Sequence, residues 1–284
     1  MKRIALINDL SGFGKCSLTA AIPVISVMGM QACPLPTAVL SAQTEFENYY
    51  LDDYTDKMDF ITENWLKLGI SFDGIYSGYT ASARQITKIL HFLEAFQGKD
   101  TLYLADPVLG DGGLTYTGFS KELLQGMKEL TLKANVITPN LTELCLLADA
   151  DYHELISCSH KEDYLKRIRH LCELLLNKAS VTQTIVVTGI LHCEHEKKKA
   201  SVGNLAISSD KAFYIENPYT GEHFSGTGDL FASILCGSLV KGLTLEEAMQ
   251  KAARFLQKAI EEAGREHLPH NHGVPFEKYL SELL

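Results

Sequence analysis

The residues with the clearest chemical potential lie at Phe224-Ser225-Gly226-Thr227-Gly228-Asp229-Leu230, where flexible backbone, a hydroxyl and a carboxylate meet at the head of a run that reads as a helix. Two glycines let the main chain turn sharply and approach a ligand with no Cβ in the way. The first N–H groups of a helix, at the positive end of its dipole, collect anions. Gly226, Thr227 and Gly228 are therefore candidate donors of an anion hole suited to phosphate. Asp229 would repel a phosphate there unless its carboxylate faced an incoming nucleophile, which is the placement of a general base. The competing use of such a residue is an ordinary N-cap or first-turn acid.

In an open α/β sheet, ligands sit at the carboxyl ends of the strands, and the residues expected just after the strands of this chain are polar and glycine-rich. They are Asn8-Asp9-Leu10-Ser11-Gly12-Phe13-Gly14-Lys15, Ser77-Gly78-Tyr79-Thr80, Asp106-Pro107-Val108-Leu109-Gly110-Asp111-Gly112-Gly113, Thr138-Pro139-Asn140-Leu141-Thr142-Glu143 and Thr188-Gly189. Carboxylates in this setting suit a hard cation; Mg²⁺ typically takes one or two of them together with waters and substrate phosphates. Asp106, Asp111 and Glu143 are the candidates, against their ordinary uses as turn and first-turn acids. The 12–17 stretch is neither a P-loop nor a dinucleotide fingerprint: the first requires Gly where Asp9 stands and Ser or Thr where Cys16 stands, the second Gly where Ser17 stands. His192-Cys193-Glu194-His195 runs into a charged stretch expected to be a solvated loop, and His267, His270 and His272 are expected on the surface. There is no Gly-x-Ser-x-Gly elbow for a serine hydrolase.

The elements that must position these residues alternate between strand and helix, the pattern of helices packed on a mostly parallel sheet. Strands are expected at Arg3–Asn8, Ala32–Leu40, Gly74–Ser77, Thr101–Ala105, Val136–Thr138 and Thr184–Thr188. Helices are expected near Ser17–Met28, Lys57–Leu68, Ala83–Phe96, Lys121–Lys128, Leu141–Leu147 and Tyr164–Leu176. Ala200–Ser208 and Ala212–Glu216 read as an antiparallel hairpin at the sheet's edge. Gly242 ends a helix, Thr244-Leu245-Glu246-Glu247 fits a capping box, and Leu245, Met249, Ala252, Phe255, Leu256, Ala259 and Ile260 form an apolar stripe. No composition shift divides the chain, so a single domain over 1–284 is expected.

At 284 residues with 46% hydrophobic content the chain can bury a sizeable core. The apolar run after Lys2-Arg3 breaks at Asn8-Asp9, too short for a membrane span. Seven cysteines without a Cys-x-x-Cys pair suggest reduced thiols of a cytoplasmic protein. A net charge of −9 argues against a nucleic-acid surface, so a polyanionic ligand has to be met locally by backbone, a few cations and metal.

Ser77-Gly78-Tyr79-Thr80, Asp106-Pro107-Val108-Leu109-Gly110-Asp111, Ile137-Thr138-Pro139-Asn140-Leu141-Thr142-Glu143 and Gly226-Thr227-Gly228-Asp229-Leu230-Phe231 together resemble the ribokinase superfamily of small-molecule kinases, in its pyridoxal/pyridoxamine kinase branch. The resemblance covers nearly the whole chain. It implies a three-layer ribokinase-like α/β fold, ATP as phosphoryl donor, Mg²⁺ with K⁺ as a candidate second cation, a homodimer, and transfer to the 5′-hydroxymethyl group of a vitamin B6 vitamer. Asp229 would be the base and Gly226, Thr227 and Gly228 the anion hole. Asp106, Asn140 and Glu143 would hold the metal and its waters. Thr138, Thr188 and Gly189 would line the nucleotide site, with Asp111 and Thr227 near the phosphates. Asp9, Ser11, Thr44 and Tyr79 would face the acceptor. Many members carry Ser where this chain has Asp9, and a hydroxyl where it has Gly189. The Asp9-Leu10-Ser11-Gly12 turn partly resembles that of the hydroxymethylpyrimidine kinases, which sets the alternative acceptor. A non-catalytic binding protein on the same scaffold is the competing class, and would be expected to have lost the Gly-Thr-Gly-Asp or the metal acids.

Overall fold

The structure is a computed structural model that describes residues 1–158, 160–194 and 199–284. In chain order, β1 (Arg3–Ser11), α1 (Ser17–Val27), β2 (Gln31–Leu40), β3 (Leu51–Asp53), α2 (Thr55–Lys67), β4 (Gly74–Ser77), α3 (Ala83–Phe96) and β5 (Leu102–Ala105) come first. They are followed by β6 (Gly110–Asp111), β7 (Leu114–Thr115), α4 (Lys121–Thr131), β8 (Val136–Ile137), α5 (Leu141–Ala148), α6 (Tyr152–Ile156) and α7 (Lys161–Leu176). The strands β9 (Thr184–Glu194), β10 (Lys199–Ile207) and β11 (Ala212–Pro218) precede α8 (Thr227–Lys241) and α9 (Leu245–Arg265). The chain forms two compact units, Met1–Leu104 with Thr220–Leu284, and Ala105–Tyr219.

In the first unit the strand order is β3-β2-β1-β4-β5, with β1 parallel to both β2 and β4 and the short β3 antiparallel at the edge. β1 is buried along Ile4-Ala5-Leu6-Ile7, as expected of a parallel strand covered on both faces. It does not stop at Asn8 as expected but runs on to Ser11, and its register against β2 shifts between Asn8 and Leu10. Such an irregularity re-aims side chains, and Asp9 sits in it. Helix α8 starts at Gly226, whose φ of 78° is the left-handed region glycine favours, and ends at Gly242 with φ 98°. Helix α9 opens with the Thr244–Glu247 capping box. It buries Met249, Ala252, Phe255 and Ala259, while Leu245, Leu256 and Ile260 are only half-buried.

In the second unit β8 runs parallel to β9, and β9-β10-β11 continue antiparallel as the expected hairpin, its turn closed by the Ser208 N–H on the Lys211 carbonyl at 2.9 Å. β9 continues six residues past its expected end at Thr188, through Gly189 at φ 68°. At the end of the expected 106–113 loop, β6 turns into β7 just beyond it to form a small hairpin. Strands this short carry too few alternating positions to be read from sequence, and the same is true of β3 and of the five-residue α6. Of the charged run expected as a loop at 194–199, Glu194 instead closes β9 and Lys199 opens β10, and residues 195–198 lie outside the described residues. Among those described, no helix is long and apolar enough to cross a membrane.

Candidate active site

The chemistry of the first unit gathers where β1 and β4 end and α1 and α8 begin. Asp229 stands third in α8, but it does not cap its own helix. Its Oδ1 accepts from Asn8 Nδ2 at 3.0 Å and from the Tyr76 hydroxyl at 3.4 Å, and the carboxylate also takes the N–H of Ser17 at the head of α1. The plain first-turn reading of Asp229 therefore gives way to a carboxylate turned onto other elements. Burial, reinforced by the charge of Asp9, raises its pKa to about 6 against the lowering effect of those donors. Asp9 is itself buried, accepts from the Ser11 hydroxyl at 2.7 Å and from the Ser17 hydroxyl, and is raised above the usual carboxylate range by desolvation.

Tyr79 is half-buried, and burial followed by the Asp9 charge lifts its phenol to about 12, so it stays a neutral ring and donor beside that carboxylate. Gly226 cannot carry a side chain here, because a Cβ would collide with the Lys15 carbonyl. The Thr227 hydroxyl donates to the Phe224 carbonyl at 3.0 Å. Its part in an anion hole therefore falls to its backbone N–H, with that of Gly228.

Thr44 lies on an exposed turn, and the buried polar residue of that loop is its neighbour Gln43. The Gln43 amide donates to Ser225 Oγ at 3.3 Å and to the Asn271 carbonyl at 3.1 Å. A cavity of about 470 Å³ is lined by Phe13, Lys15, His272, Phe276 and Glu277 among others, and by none of Asp9, Ser11, Tyr79 or Asp229. His267 and His270 are exposed as expected, whereas His272 packs edge-on against Phe13.

In the second unit, Asn140 and Glu143 make a reciprocal capping box at the start of α5. The Glu143 N–H donates to Asn140 Oδ1 at 3.0 Å, and the Asn140 N–H donates to Glu143 Oε2 at 2.9 Å. The other carboxylate oxygen of Glu143 accepts the Leu109 N–H at 3.1 Å, and Asn140 Nδ2 donates to the Gly110 carbonyl at 2.8 Å. The sequence signal for a first-turn acid was thus correct for Glu143, and the same bonds fix it beside the 106–111 loop. Asp106 is buried and accepts from the Thr138 hydroxyl at 2.7 Å. Burial, then the charges of Asp106 and Asp111, push Glu143 well above the carboxylate range.

A divalent cation would relieve that repulsion, and oxygen donors of this kind fit Mg²⁺. With both Glu143 oxygens and both ends of the Asn140 amide already bonded, these residues fit water-mediated support better than direct ligation. Among the described residues, no group of three or more His, Cys, Asp or Glu is placed to hold a metal ion by itself. The Thr188 N–H donates to the Pro139 carbonyl at 3.0 Å, bringing Thr188 beside Asn140, and the exposed Gly189 follows.

Three functional candidates, Asn8, Tyr76 and Ser17, were not singled out from the sequence. Asn8 is wholly buried at the end of an apolar strand. Ser17, at φ 51°, serves both acids of the first unit. The signal for Asn8 was available, since a polar residue closing an apolar strand needs a partner. Ser17 gave none, because its role depends on a backbone conformation unusual for a non-glycine residue.

Solved structures share this architecture, an α/β fold with a mostly parallel sheet flanked by helices and an antiparallel hairpin. A provisionally named phosphomethylpyrimidine kinase from Bacteroides thetaiotaomicron is 38% identical with a TM-score of 0.90, covering 99% of this chain and 93% of that one. A second crystal form of that protein, solved with pyridoxal, gives 0.88 at the same identity, over 99% and 95% of the two chains. Pyridoxal kinase from Lactobacillus plantarum is 26% identical with a TM-score of 0.88, over 100% and 97%. Among curated proteins, pyridoxal kinase from Dictyostelium discoideum is 25% identical over 281 residues, spanning 90% of this chain and 84% of its own. The chain belongs to the phosphomethylpyrimidine kinase family, whose family model matches residues 14–274.

Proposed function

We propose that this chain is an ATP-dependent kinase that phosphorylates the 5′-hydroxymethyl group of a vitamin B6 vitamer, pyridoxal, pyridoxamine or pyridoxine. The observation that carries the reading is the Asp229 carboxylate, raised to about 6 and held by Asn8, Tyr76 and Ser17 beside the N–H groups that open α8. A base poised near neutral pH can take a hydroxyl proton. The acceptor oxygen forms its bond to the γ-phosphorus as the bond to the β–γ bridging oxygen breaks. The proton passes to Asp229, ADP leaves, and the N–H groups of Thr227 and Gly228, reached over Gly226, stabilise the charge on the transferring group.

Asp9, supported by Ser11, is assigned to the ring's phenolic hydroxyl or protonated nitrogen, Tyr79 to an aromatic wall and Thr44 to the other ring edge. Thr138, Thr188 and Gly189 are assigned to the nucleotide, and Asp111 to the region of its phosphates. Asp106, with Asn140 and Glu143 supporting its waters, is assigned to Mg²⁺, which when bound neutralises charge on the ATP phosphates. K⁺ activation, a homodimer, a cytoplasmic location and the working of residues 1–284 as one catalytic domain belong to the same proposal. The bound pyridoxal in the 38% identical structure supports the vitamer.

The family description favours a second reading, hydroxymethylpyrimidine as acceptor. The test is kcat/KM for pyridoxal, pyridoxamine and hydroxymethylpyrimidine, in the parent and in Asp9→Ala. A lost buried hydrogen bond costs ~1–3 kcal/mol, so the pyrimidine, which lacks the phenol, is expected to be poorer by roughly 5- to 150-fold, with the gap narrowing in Asp9→Ala. A parent enzyme that prefers the pyrimidine overturns the B6 assignment.

A further inference from the structure

Asn8 is wholly buried at the end of β1. Its Oδ1 accepts two backbone N–H groups, that of Asp9 at 3.0 Å and that of Tyr79, beyond β4, at 2.8 Å. A rotated amide would set its NH₂ against both of these donors. The two N–H groups therefore fix the amide one way round, with Nδ2 directed at Asp229 Oδ1 at 3.0 Å. The pocket for the amide is formed by Gly78, where a Cβ would lie 2.5 Å from Nδ2.

We propose that Asn8 is a positioning residue for the phosphoryl-transfer base: a donor of fixed orientation that ties Asp229 on α8 to the ends of β1 and β4. The proposal rests on the assignment of Asp229 as base. Asn8 carries no charge, so it orients the carboxylate without the strong acidification a lysine or arginine would impose. The other groups facing Asp229 are Asp9 on β1, the Tyr76 hydroxyl on β4, the Ser17 N–H of α1 and the neighbouring Cys16 thiol. Among these Asn8 is the one side-chain amide, and its amide is fixed by backbone alone.

Asn8→Asp is the discriminating variant, because it keeps an oxygen for the two backbone N–H groups while replacing the donor with a second carboxylate. A like charge at hydrogen-bond distance raises a carboxyl's pKa. In the full-length enzyme, the acidic limb of the kcat–pH profile is expected to move up by about one pH unit or more. The ¹³C carboxylate titration of Asp229, assigned by its loss in Asp229→Asn, is expected to move with it.

Asn8→Ser, whose shorter hydroxyl side chain withdraws the amide donor from Asp229 without adding charge, is expected to lower kcat by roughly 10- to 100-fold with KM within about threefold. It covers the case in which Asn8→Asp does not fold. If Asn8→Asp leaves the Asp229 titration and the limb unchanged, or Asn8→Ser keeps kcat within twofold, the positioning role is overturned while Asp229 remains the base. If the Asp229 titration moves but the kcat limb does not, the base assignment itself falls and the role of Asn8 in catalysis falls with it.

Discussion

The two units each hold a pair of crowded acids, Asp9 with Asp229 and Asp106 with Glu143, and they hold them by different means. In the first, Asp229 is held by the Asn8 and Tyr76 side chains together with the Ser17 N–H, and Asp9 by the Ser11 and Ser17 hydroxyls. In the second, Glu143 is held by the backbone N–H groups of Leu109 and Asn140. Backbone donors of a capping box are part of the scaffold and keep a carboxylate in place whatever binds near it. Side-chain donors around a carboxyl of pKa about 6 leave it able to exchange a proton near neutral pH. Under the proposed mechanism, the aspartate of the first unit is placed to take up a proton, while the glutamate of the second is held rigidly beside Asp106.

The comparison breaks most decisively at Asp229. Asp229→Asn is expected to lower kcat by ~10²–10⁴ with nucleotide binding nearly intact, measured by steady-state kinetics and nucleotide titration; turnover within threefold of the parent would remove proton transfer from the first unit. At Glu143 the expected loss is in metal use. Glu143→Gln should raise the Mg²⁺ concentration for half-maximal activity by roughly 10-fold or more, and an unchanged Mg²⁺ titration would leave the capping box a purely structural device.

The smallest effect sharpens the contrast through stability. The folded pKa of Asp229 is raised from 3.8 to about 6, so its charge opposes folding. Stability contributed by the protonated form is present below about pH 4 and lost as pH rises through about 6. Because Asp229 is only half-buried, the effect is screened by solvent, and Asp229→Asn is expected to stabilise the protein by about 1–2 kcal/mol at pH 8. The gain should vanish toward pH 4 in thermal melts, and a loss of stability at pH 8 would show that the donors outweigh the burial.

Long periodic elements were legible because their residues agree locally. β4 and α3 match the expected bounds, and the α9 capping box and Gly242 stop stand where Thr244, Glu247 and Gly242 predicted them. Gly226 to Asp229 was legible as a helix entrance because two glycines and an acid in that order carry their own backbone chemistry. The partners of Asp229 were not. Asn8, Tyr76 and Ser17 meet it only after residues about 150 to 220 positions apart are brought together, and local patterning carries no information at that range. Thr44 rests on the family resemblance rather than on any local pattern, and it stands on an exposed turn next to the buried Gln43, in a loop whose lack of period carries no signal of its own.

Ser17 gives the site a cost of its own. Its left-handed backbone, at φ 51°, would be free for glycine, whereas a side chain there carries roughly 1–2 kcal/mol. Turned this way, the residue presents its N–H to Asp229 and its hydroxyl to Asp9, so a single strained position is wired to both acids. The two carboxylates thus share one hydrogen-bonding residue as well as an electrostatic interaction. Relaxing that kink with a glycine would keep the N–H to Asp229 and remove the hydroxyl to Asp9, so position 17 sets backbone ease against the support of the second acid.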